Sequence, residues 1–327
     1  MQKVIFTLCS NNYLAHAKTL GDSVFKTNPD VPFIIGLVDK RDPEIDYSFF
    51  KPFEIIDFDQ IGFPFFEDML AVYNVIEFNT AVKPYYLEYL LKRQGKGSKV
   101  FYIDPDIVLY SGMDKLSAIL DNSNIVLTPM LTVANATVTM DELVALRHGI
   151  YNLGFIGVKY SDETFRFVKW WQERLRRHCV IDKPRGLFVD QKWIDLAPLF
   201  FTGIFLFPDP GYNISWWNFA ERTVLKSGDK FFINDLSHPL VFFHFSGYSV
   251  GSNYYTGRVS NAEYALEARP DLVEIFKDYS NRLKENQYEK LKEQKPLLKF
   301  APMKKEPTGV INRTKAGIKS LLKKAIS

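Results

Sequence analysis

The stretch KVFYIDPDIVLY, from Lys99 to Tyr110, decides how the rest of the chain is interpreted. A strand-like apolar run ends in two aspartates, Asp104 and Asp106, on either side of Pro105, and a second apolar run follows. Burying a carboxylate costs several kcal/mol unless it is paired or binds a metal. From this motif alone, a tight turn and a cation site are equally good interpretations.

Strand and helix patterns alternate around this stretch. KVIFTLCS and VPFIIGLVDK are typical of buried strands, and FNTAVKPYYLEYLLKRQGKG predicts a helix with Pro84 near its start and a glycine-rich end. This alternation favours an α/β fold with a mostly parallel sheet flanked by helices. Ligands of such sheets bind beyond the carboxyl ends of the strands. Ser10, Asp39 and Asp104 lie where predicted strands end, so they define one candidate edge.

Composition sets broad limits. The 327 residues are 46% hydrophobic and 15% aromatic, which allows a large core with additional aromatic surfaces for flat or sugar-like ligands. The two cysteines, Cys9 and Cys179, lie outside any CxxC pattern, which favours a reduced cytosolic compartment. The N-terminal apolar run is too short for a signal peptide, and no apolar run reaches the roughly 18 residues of a membrane span. The sequence therefore predicts a soluble or peripheral protein.

Charge is unevenly distributed, although the formal net charge is only +3. Seven Lys/Arg and one Glu follow from Met303 onward, and the preceding body is mildly acidic. Residues 310–327 have an amphipathic helical pattern that favours contact with an anionic membrane surface, with docking on the body or disorder as alternatives. The acidic body argues against nucleic acid as a partner. The predicted parts are an α/β domain (1–260), a helical extension (261–302) and a basic amphipathic tail (303–327).

Two motifs could together hold a metal ion. Mg²⁺ and Mn²⁺ take oxygen ligands, commonly one or two carboxylates plus substrate phosphates, and Mn²⁺ also accepts imidazole. In VFFHFSGY, His244 follows a strand-like run and precedes Ser246 and Gly247, which places it at another strand end. A single histidine is more often a satisfied core or surface group than a ligand. Asp104, Asp106 and His244 are nevertheless the candidate ligand set for Mn²⁺ or Mg²⁺.

Four motifs taken in order, the Asp-x-Asp after a strand, YNLGFIGV, DQ and HFSG, resemble the retaining GT-A glycosyltransferases of the family 8 type. That group includes glycogenin and galactosyltransferases, and the resemblance covers roughly residues 1–250. It implies a GT-A fold in which the Asp-x-Asp and the later histidine chelate Mn²⁺ on a sugar-nucleotide diphosphate. The family's H-x-x-G motif is usually followed by Lys-Pro-Trp, and no such lysine follows Gly247. Arg258 and Lys83 are the candidate replacements.

The resemblance assigns roles to the residues that match its motifs, and Leu8, Ser10 and Asp39 join them because they lie at the ends of the first two predicted strands. Asp39 could instead cap a turn, and Asn152 and Gln191 could be structural amides bonded to the backbone. Trp216 and Trp217 could line an acceptor site or be buried under their loop. The predicted residues are Asp104, Asp106 and His244 for the metal, Leu8, Ser10, Asp39, Lys83, Asp104, Asn152, Gly154 and Gly247 for the donor, and Asp190 and Gln191 for catalysis.

The resulting hypothesis is a metal-dependent glycosyltransferase that uses a nucleoside-diphosphate sugar, with a UDP-sugar favoured. Its acceptor would be a glycan or glycolipid of surface polysaccharide synthesis, in the cytoplasm or at the inner face of the cell membrane. Two alternatives remain, a catalytically silent sugar-nucleotide or glycan-binding protein and a Mg²⁺-dependent nucleotidyltransferase. The second predicts a glycine-rich phosphate loop, and CSNNYLAHAK has none. The resemblance implies retention, and Asp190 as a base would allow inversion.

Overall fold

The computed structural model describes residues 2–134, 136–257 and 264–303. The strands are β1 (Lys3–Cys9), β2 (Phe33–Leu37), β3 (Glu54–Asp57), β4 (Lys99–Ile103), β5 (Ile107–Leu109), β6 (Ile125–Leu127), β7 (Phe155–Lys159), β8 (Ile181–Asp182), β9 (Leu187–Phe188), β10 (Ile204–Leu206), β11 (Val224–Ser227), β12 (Lys230–Ile233) and β13 (Phe242–His244). The helices are α1 (Leu14–Thr27), α2 (Phe66–Leu70), α3 (Val75–Ala81), α4 (Lys83–Gln94), α5 (Asp114–Asn122), α6 (Met140–His148), α7 (Asp162–His178), α8 (Gln191–Ile194), α9 (Ala197–Phe200), α10 (Val273–Glu285) and α11 (Tyr288–Leu291).

A seven-stranded sheet with the order β3-β2-β1-β4-β7-β6-β10 forms the centre. Six of its strands run in the same direction, and β7 is antiparallel to its neighbours β4 and β6. Parallel neighbours need crossover connections, and α1 supplies the one between β1 and β2. The predicted α/β class with a mostly parallel sheet is confirmed, and the carboxyl ends of β1, β2 and β4 share one edge.

Helices cover both faces of the sheet. Along β1, Val4 and Phe6 pack in a core shared with α4 and α7, whereas Ile5 and Cys9 pack in a core shared with α1 and α10. A strand that is buried on both faces needs apolar side chains at successive positions. This requirement explains the continuous apolar runs by which the strands were predicted.

Helix ends follow the local signals in the sequence. Pro84 lies in the first turn of α4, and the helix ends at Gly95, whose φ of 78° suits glycine. Ser161 precedes α7, and its side chain accepts a hydrogen bond from the Thr164 N–H. The helix predicted around Pro84 is confirmed, with bounds at Lys83–Gln94.

The helices after residue 264 belong to the same core as the sheet. Tyr279 of α10 stacks on Phe245, directly after β13, with ring centroids 3.8 Å apart. The predicted boundary between 260 and 261 stays a prediction, and the predicted tail lies outside the described residues from 304 onward. Within the described ranges, none of the helices combines the length and the hydropathy that a bilayer crossing requires.

Candidate metal centre

The Asp-Pro-Asp stretch forms a tight turn and also joins two sheets. The Ile107 N–H donates to the Asp104 carbonyl at 3.1 Å, which closes the turn between β4 and β5. β5 then pairs antiparallel with β13 in a register that sets Ile107 opposite His244. The Phe245 N–H donates to the Asp106 carbonyl at 2.9 Å. This two-stranded ladder is what carries the distant imidazole to the two aspartates.

The three candidate ligands converge. One ligand atom from each of Asp104, Asp106 and His244 lies within 4.8 Å of the other two. His244 Nε2 is 3.1 Å from Asp106 Oδ1 and 3.8 Å from Asp104 Oδ2. The imidazole is buried, while the carboxylates keep 25% and 19% of their side-chain surface exposed. Two accessible carboxylates and one imidazole can hold a cation such as Mn²⁺ or Mg²⁺.

Two asparagines orient the imidazole. His244 Nδ1 lies 3.2 Å from Asn152 Oδ1 and 3.4 Å from Asn213 Oδ1. The Gly154 N–H donates to Asn152 Oδ1 at 3.0 Å, which identifies this atom as the oxygen of its amide. Since amide oxygens only accept hydrogen bonds, Nδ1 carries the proton. Nε2 is then the nitrogen that faces the carboxylates and could bind a metal.

Gly154 provides the space that the imidazole occupies. A Cβ at this position would lie 2.5 Å from His244 Cε1 and 2.7 Å from its Nδ1. The Gly154 carbonyl also accepts from the Asp104 N–H at 2.8 Å. The two glycines of YNLGFIGV differ in their surroundings, because a Cβ on Gly157 would meet core side chains and a Cβ on Gly154 would meet His244.

We expect Gly154→Ala to weaken Mn²⁺ binding by about 10- to 100-fold, because the added methyl displaces the imidazole. Overpacking would also destabilise the fold by about 1–3 kcal/mol. Gly157→Ala is the matched control, since its Cβ would lie 2.7 Å from Val126 Cγ1 and 2.8 Å from Phe101 Cδ1, in the core. Calorimetric titration with Mn²⁺ and urea unfolding separate the two effects. Equal Mn²⁺ affinity in the two variants would contradict the role of Gly154.

The buried ammonium group of Lys83 lies beside two aspartates, Asp104 and Asp190. Lys83 Nζ is 2.9 Å from Asp190 Oδ2 and 3.4 Å from Asp104 Oδ1, and the Lys83 and Asp190 side chains are each 2% exposed. Burial lowers the pKa of Lys83, but the charges of Asp104 and Asp190 outweigh it and raise the pKa overall. Burial raises the pKa of Asp190, partly opposed by Lys83. Lys83 therefore balances carboxylate charge, and its side chain is shielded from the surface.

The predicted donor-site residue Asn152 and the predicted catalytic residue Gln191 hold one another. Gln191 Oε1 accepts from Asn152 Nδ2 and from the Leu153 N–H, both at 3.2 Å, and Gln191 Nε2 donates to the His148 carbonyl at 3.2 Å. Gln191 is also buried. This geometry matches the structural interpretation of the two amides and places Asn152 directly against His244.

The three residues predicted to frame the base and ribose of the donor are buried. Leu8, Ser10 and Asp39 lie at or just beyond the ends of β1 and β2, and each is buried. Ser10 Oγ accepts from Asn79 Nδ2 at 2.9 Å. Asp39 Oδ1 accepts from the Lys40 N–H at 2.9 Å, as a capping carboxylate does.

The remaining candidate residues are Gly247, Trp216, Trp217 and Arg258. Gly247, in the turn after β13, has a φ of 76°, which favours glycine. Trp217 is buried with its ring centroid 5.1 Å from that of His244, in an edge-to-face arrangement. Trp216 is half-buried and lies edge-to-face with Tyr264, with the two ring centroids 6.5 Å apart. Burial thus accounts for Trp217, whereas Trp216 keeps some accessible surface. Arg258 lies outside the described residues.

Asn213 is the residue that sequence reasoning missed. Its φ of 52° is unusual for a residue with a side chain. Its Nδ2 donates to Thr128 Oγ1 at 2.9 Å and to Asn152 Oδ1 at 3.3 Å, so it links two segments beneath the imidazole. An asparagine in the Pro- and Gly-containing loop PDPGYN was the available signal, since asparagine tolerates this conformation.

Two proteins of Bacillus subtilis (strain 168) are similar in sequence. The uncharacterized protein YfnF is 30% identical over 183 residues, which make up 54% of this chain and 58% of YfnF. The uncharacterized protein YfnD is 23% identical over 176 residues, 53% of this chain and 54% of YfnD. The chain thus spans just over half the length of each relative. No protein-family model matches it.

Solved glycosyltransferases resemble the chain in their backbone path. The galactosyltransferase LgtC, solved with donor and acceptor sugar analogs, has a TM-score of 0.48 at 16% identity, covering 86% of this chain and 95% of LgtC. GlyE of Streptococcus pneumoniae TIGR4 has a TM-score of 0.46 at 14% identity, covering 94% of this chain and 66% of GlyE. Both likenesses are distant.

Proposed function

We propose that this chain is a metal-dependent glycosyltransferase of the GT-A type. It takes the sugar from a nucleoside-diphosphate sugar, with a UDP-sugar as the favoured donor, and gives it to a glycan or glycolipid acceptor. The observation that carries the proposal is the convergence of Asp104, Asp106 and His244 at the carboxyl edge of a mostly parallel sheet. Ligands of such sheets bind at that edge.

The candidate ligands Asp104, Asp106 and His244 fit a divalent ion that binds the diphosphate of the sugar donor. Mg²⁺ and Mn²⁺ sites are built from one or two carboxylates plus substrate phosphates, which leaves room for the donor. A divalent ion, when bound, offsets the negative charge that develops on the departing nucleoside diphosphate. The protonated Nδ1 of His244 keeps Nε2 available, and Lys83 keeps Asp104 and Asp190 charge-balanced at the edge of the site.

The same contacts bear on stereochemistry. Asp190 is paired with Lys83 and buried, so we assign it to charge balance and not to the activation of an acceptor hydroxyl. Gln191 holds Asn152, and this pair borders the candidate centre. Without a free carboxylate at Asp190, the arrangement favours the retaining reaction that the family 8 resemblance implies. Transfer to a lipid-linked acceptor at the inner face of the cell membrane, in surface polysaccharide synthesis, completes the proposal.

We expect one nucleoside diphosphate or its sugar to raise the melting temperature only when Mn²⁺ or Mg²⁺ is present. Binding at about 100 times Kd adds about 2.7 kcal/mol to the free energy of unfolding, a shift of several degrees. The measurement is a thermal-shift panel of UDP, GDP, CDP and ADP and their sugars, with Mn²⁺ or with EDTA. A panel in which every compound leaves the melting temperature unchanged would contradict the donor site.

Product analysis then decides between the remaining functions. A transferase left without acceptor releases free sugar and nucleoside diphosphate slowly, whereas a silent binding protein gives the thermal shift without hydrolysis. A nucleotidyltransferase would instead use a nucleoside triphosphate and release pyrophosphate. Free sugar in the presence of Mn²⁺, and its disappearance with EDTA, is the result that the proposal requires.

A further inference from the structure

A segment near the C-terminal end of the described chain crosses the nucleoside end of the site. The strap, residues 296–301, follows α11. The N–H groups of Leu297 and Leu298 both donate to Asp39 Oδ1 at 3.0 Å. Farther along, the Ala301 N–H donates to the Tyr73 carbonyl at 3.0 Å, and Leu298 is buried. The strap is therefore held at both of its ends.

The other oxygen of Asp39 holds the turn after β1. Asp39 Oδ2 accepts from Asn11 Nδ2 at 3.0 Å, and the same Nδ2 donates to the Lys40 carbonyl at 2.9 Å. Asn11 Oδ1 accepts from the Tyr47 hydroxyl at 2.8 Å. Asp39 and Asn11 are both 0% exposed. A ribose hydroxyl could reach Asp39 only by displacing one of these partners.

This network joins two parts of the chain that are far apart in sequence. Leu298 of the strap lies 259 positions after Asp39 in the sequence. The turn that Asp39 holds on its other side, Ser10–Tyr13, is closed by the Tyr13 N–H donating to the Ser10 carbonyl at 2.9 Å. Because every side-chain polar atom of Asp39 and Asn11 has a partner, the network fixes the strap and the turn relative to each other.

We infer that Asp39 is a positioning residue that clamps the strap to the Ser10–Tyr13 turn, and that donor affinity depends on this clamp. The inference rests on the proposed function only in placing the nucleoside at this edge. It replaces a direct contact between Asp39 and the ribose with an indirect one. Through Asp39, the Leu297 and Leu298 N–H groups would then contribute to donor affinity.

Prolines in the strap test the clamp. Leu297→Pro removes one of the two strap N–H groups that Asp39 accepts, whereas Lys299→Pro introduces the same residue into the same strap and leaves both hydrogen bonds in place. We expect Leu297→Pro to speed amide hydrogen exchange across Asn11–Tyr13 and to weaken UDP binding in Mn²⁺ about tenfold. Its affinity for Mn²⁺ alone, and all three properties of Lys299→Pro, should match the wild type.

A second variant covers the case in which Leu297→Pro fails to fold. Asp39→Asn places an amide nitrogen near Asn11 Nδ2, or else near the strap N–H groups, and so breaks one side of the clamp. It should give the same faster exchange and weaker UDP binding. Unchanged exchange at the turn, or UDP binding at least as tight as in the wild type, in a folded variant would overturn the clamp. If the wild-type protein binds no nucleoside diphosphate, the proposed function fails, and exchange at the turn still decides whether Asp39 couples the two segments.

Discussion

Asp106→Asn is expected to lower Mn²⁺-dependent hydrolysis of the nucleotide sugar by about 10²- to 10⁴-fold, with little change in stability. The substitution keeps the shape of the side chain and removes the charge that faces His244 Nε2 at 3.1 Å. Metal stabilisation of transition-state charge is worth several kcal/mol, and each 1.36 kcal/mol is about tenfold in rate. The measurement is release of free sugar at increasing Mn²⁺ concentration.

The Mn²⁺ dependence separates a ligand from a structural residue. A weakened metal site should recover part of its activity at high Mn²⁺, whereas a misfolded protein should not. Asp114→Asn makes the same chemical change on a side chain that is 92% exposed, and it should leave the reaction unchanged. Retention of more than about a tenth of the activity by Asp106→Asn at low Mn²⁺ would remove Asp106 from the ligand set.

Lys83→Met is expected to destabilise the protein by about 3–5 kcal/mol, because it leaves the buried Asp190 carboxylate without its cation. Lys92→Met, on the same helix, is the matched control. Lys92 pairs with Glu88 at 2.6 Å, but its side chain is 64% exposed, so the loss should stay below about 1 kcal/mol. Urea unfolding measures both. A loss for Lys83→Met no larger than for Lys92→Met would contradict the buried ion pair.

The pH dependence of Lys83→Met gives an independent check. Burial already raises the pKa of Asp190, and Lys83 opposes that rise, so removing Lys83 should raise the pKa further. An acid with a higher pKa in the folded state than in the unfolded state binds protons more tightly when folded, so stability falls as the pH rises from the unfolded-state pKa toward the folded-state pKa. The loss should therefore be smaller at about pH 5 than at about pH 8. Lys83→Met combined with Asp190→Asn should remove this dependence.

Much of the fold could be predicted because its signals are local. The apolar runs of β1, β2 and β4 and the end signals of α4 and α7 each lie within a short stretch of sequence. Parallel strands end at one edge, so carboxylates at strand ends could be expected to meet there. The choice between a turn and a cation site at Asp104–Asp106 was not a true alternative, because the turn is what presents the carboxylates.

The hydrogen-bond and ion-pair partners of the predicted site residues could not be predicted from local sequence signals. Asn213 beneath His244, Lys83 between Asp104 and Asp190, and the strap on Asp39 are each contacts between distant segments. No periodicity within a short stretch reports such a contact. The sequence also offered Asp39 as a ribose ligand and as a cap with equal weight, and its hydrogen-bond partners Asn11, Leu297 and Leu298 lie in distant segments.

The amino-acid sequence by itself determined the α/β class, the edge at which polar side chains gather and the three residues that could hold a cation, because spacing and strand ends are encoded locally. The tertiary structure decided which nitrogen of His244 faces the carboxylates and which charge is paired with Asp190. It also brought the imidazole so close to Gly154 that a side chain there would clash with it. Those outcomes depend on atoms brought within a few ångströms by β5 and β13 pairing and by core packing, which no short segment of the chain specifies.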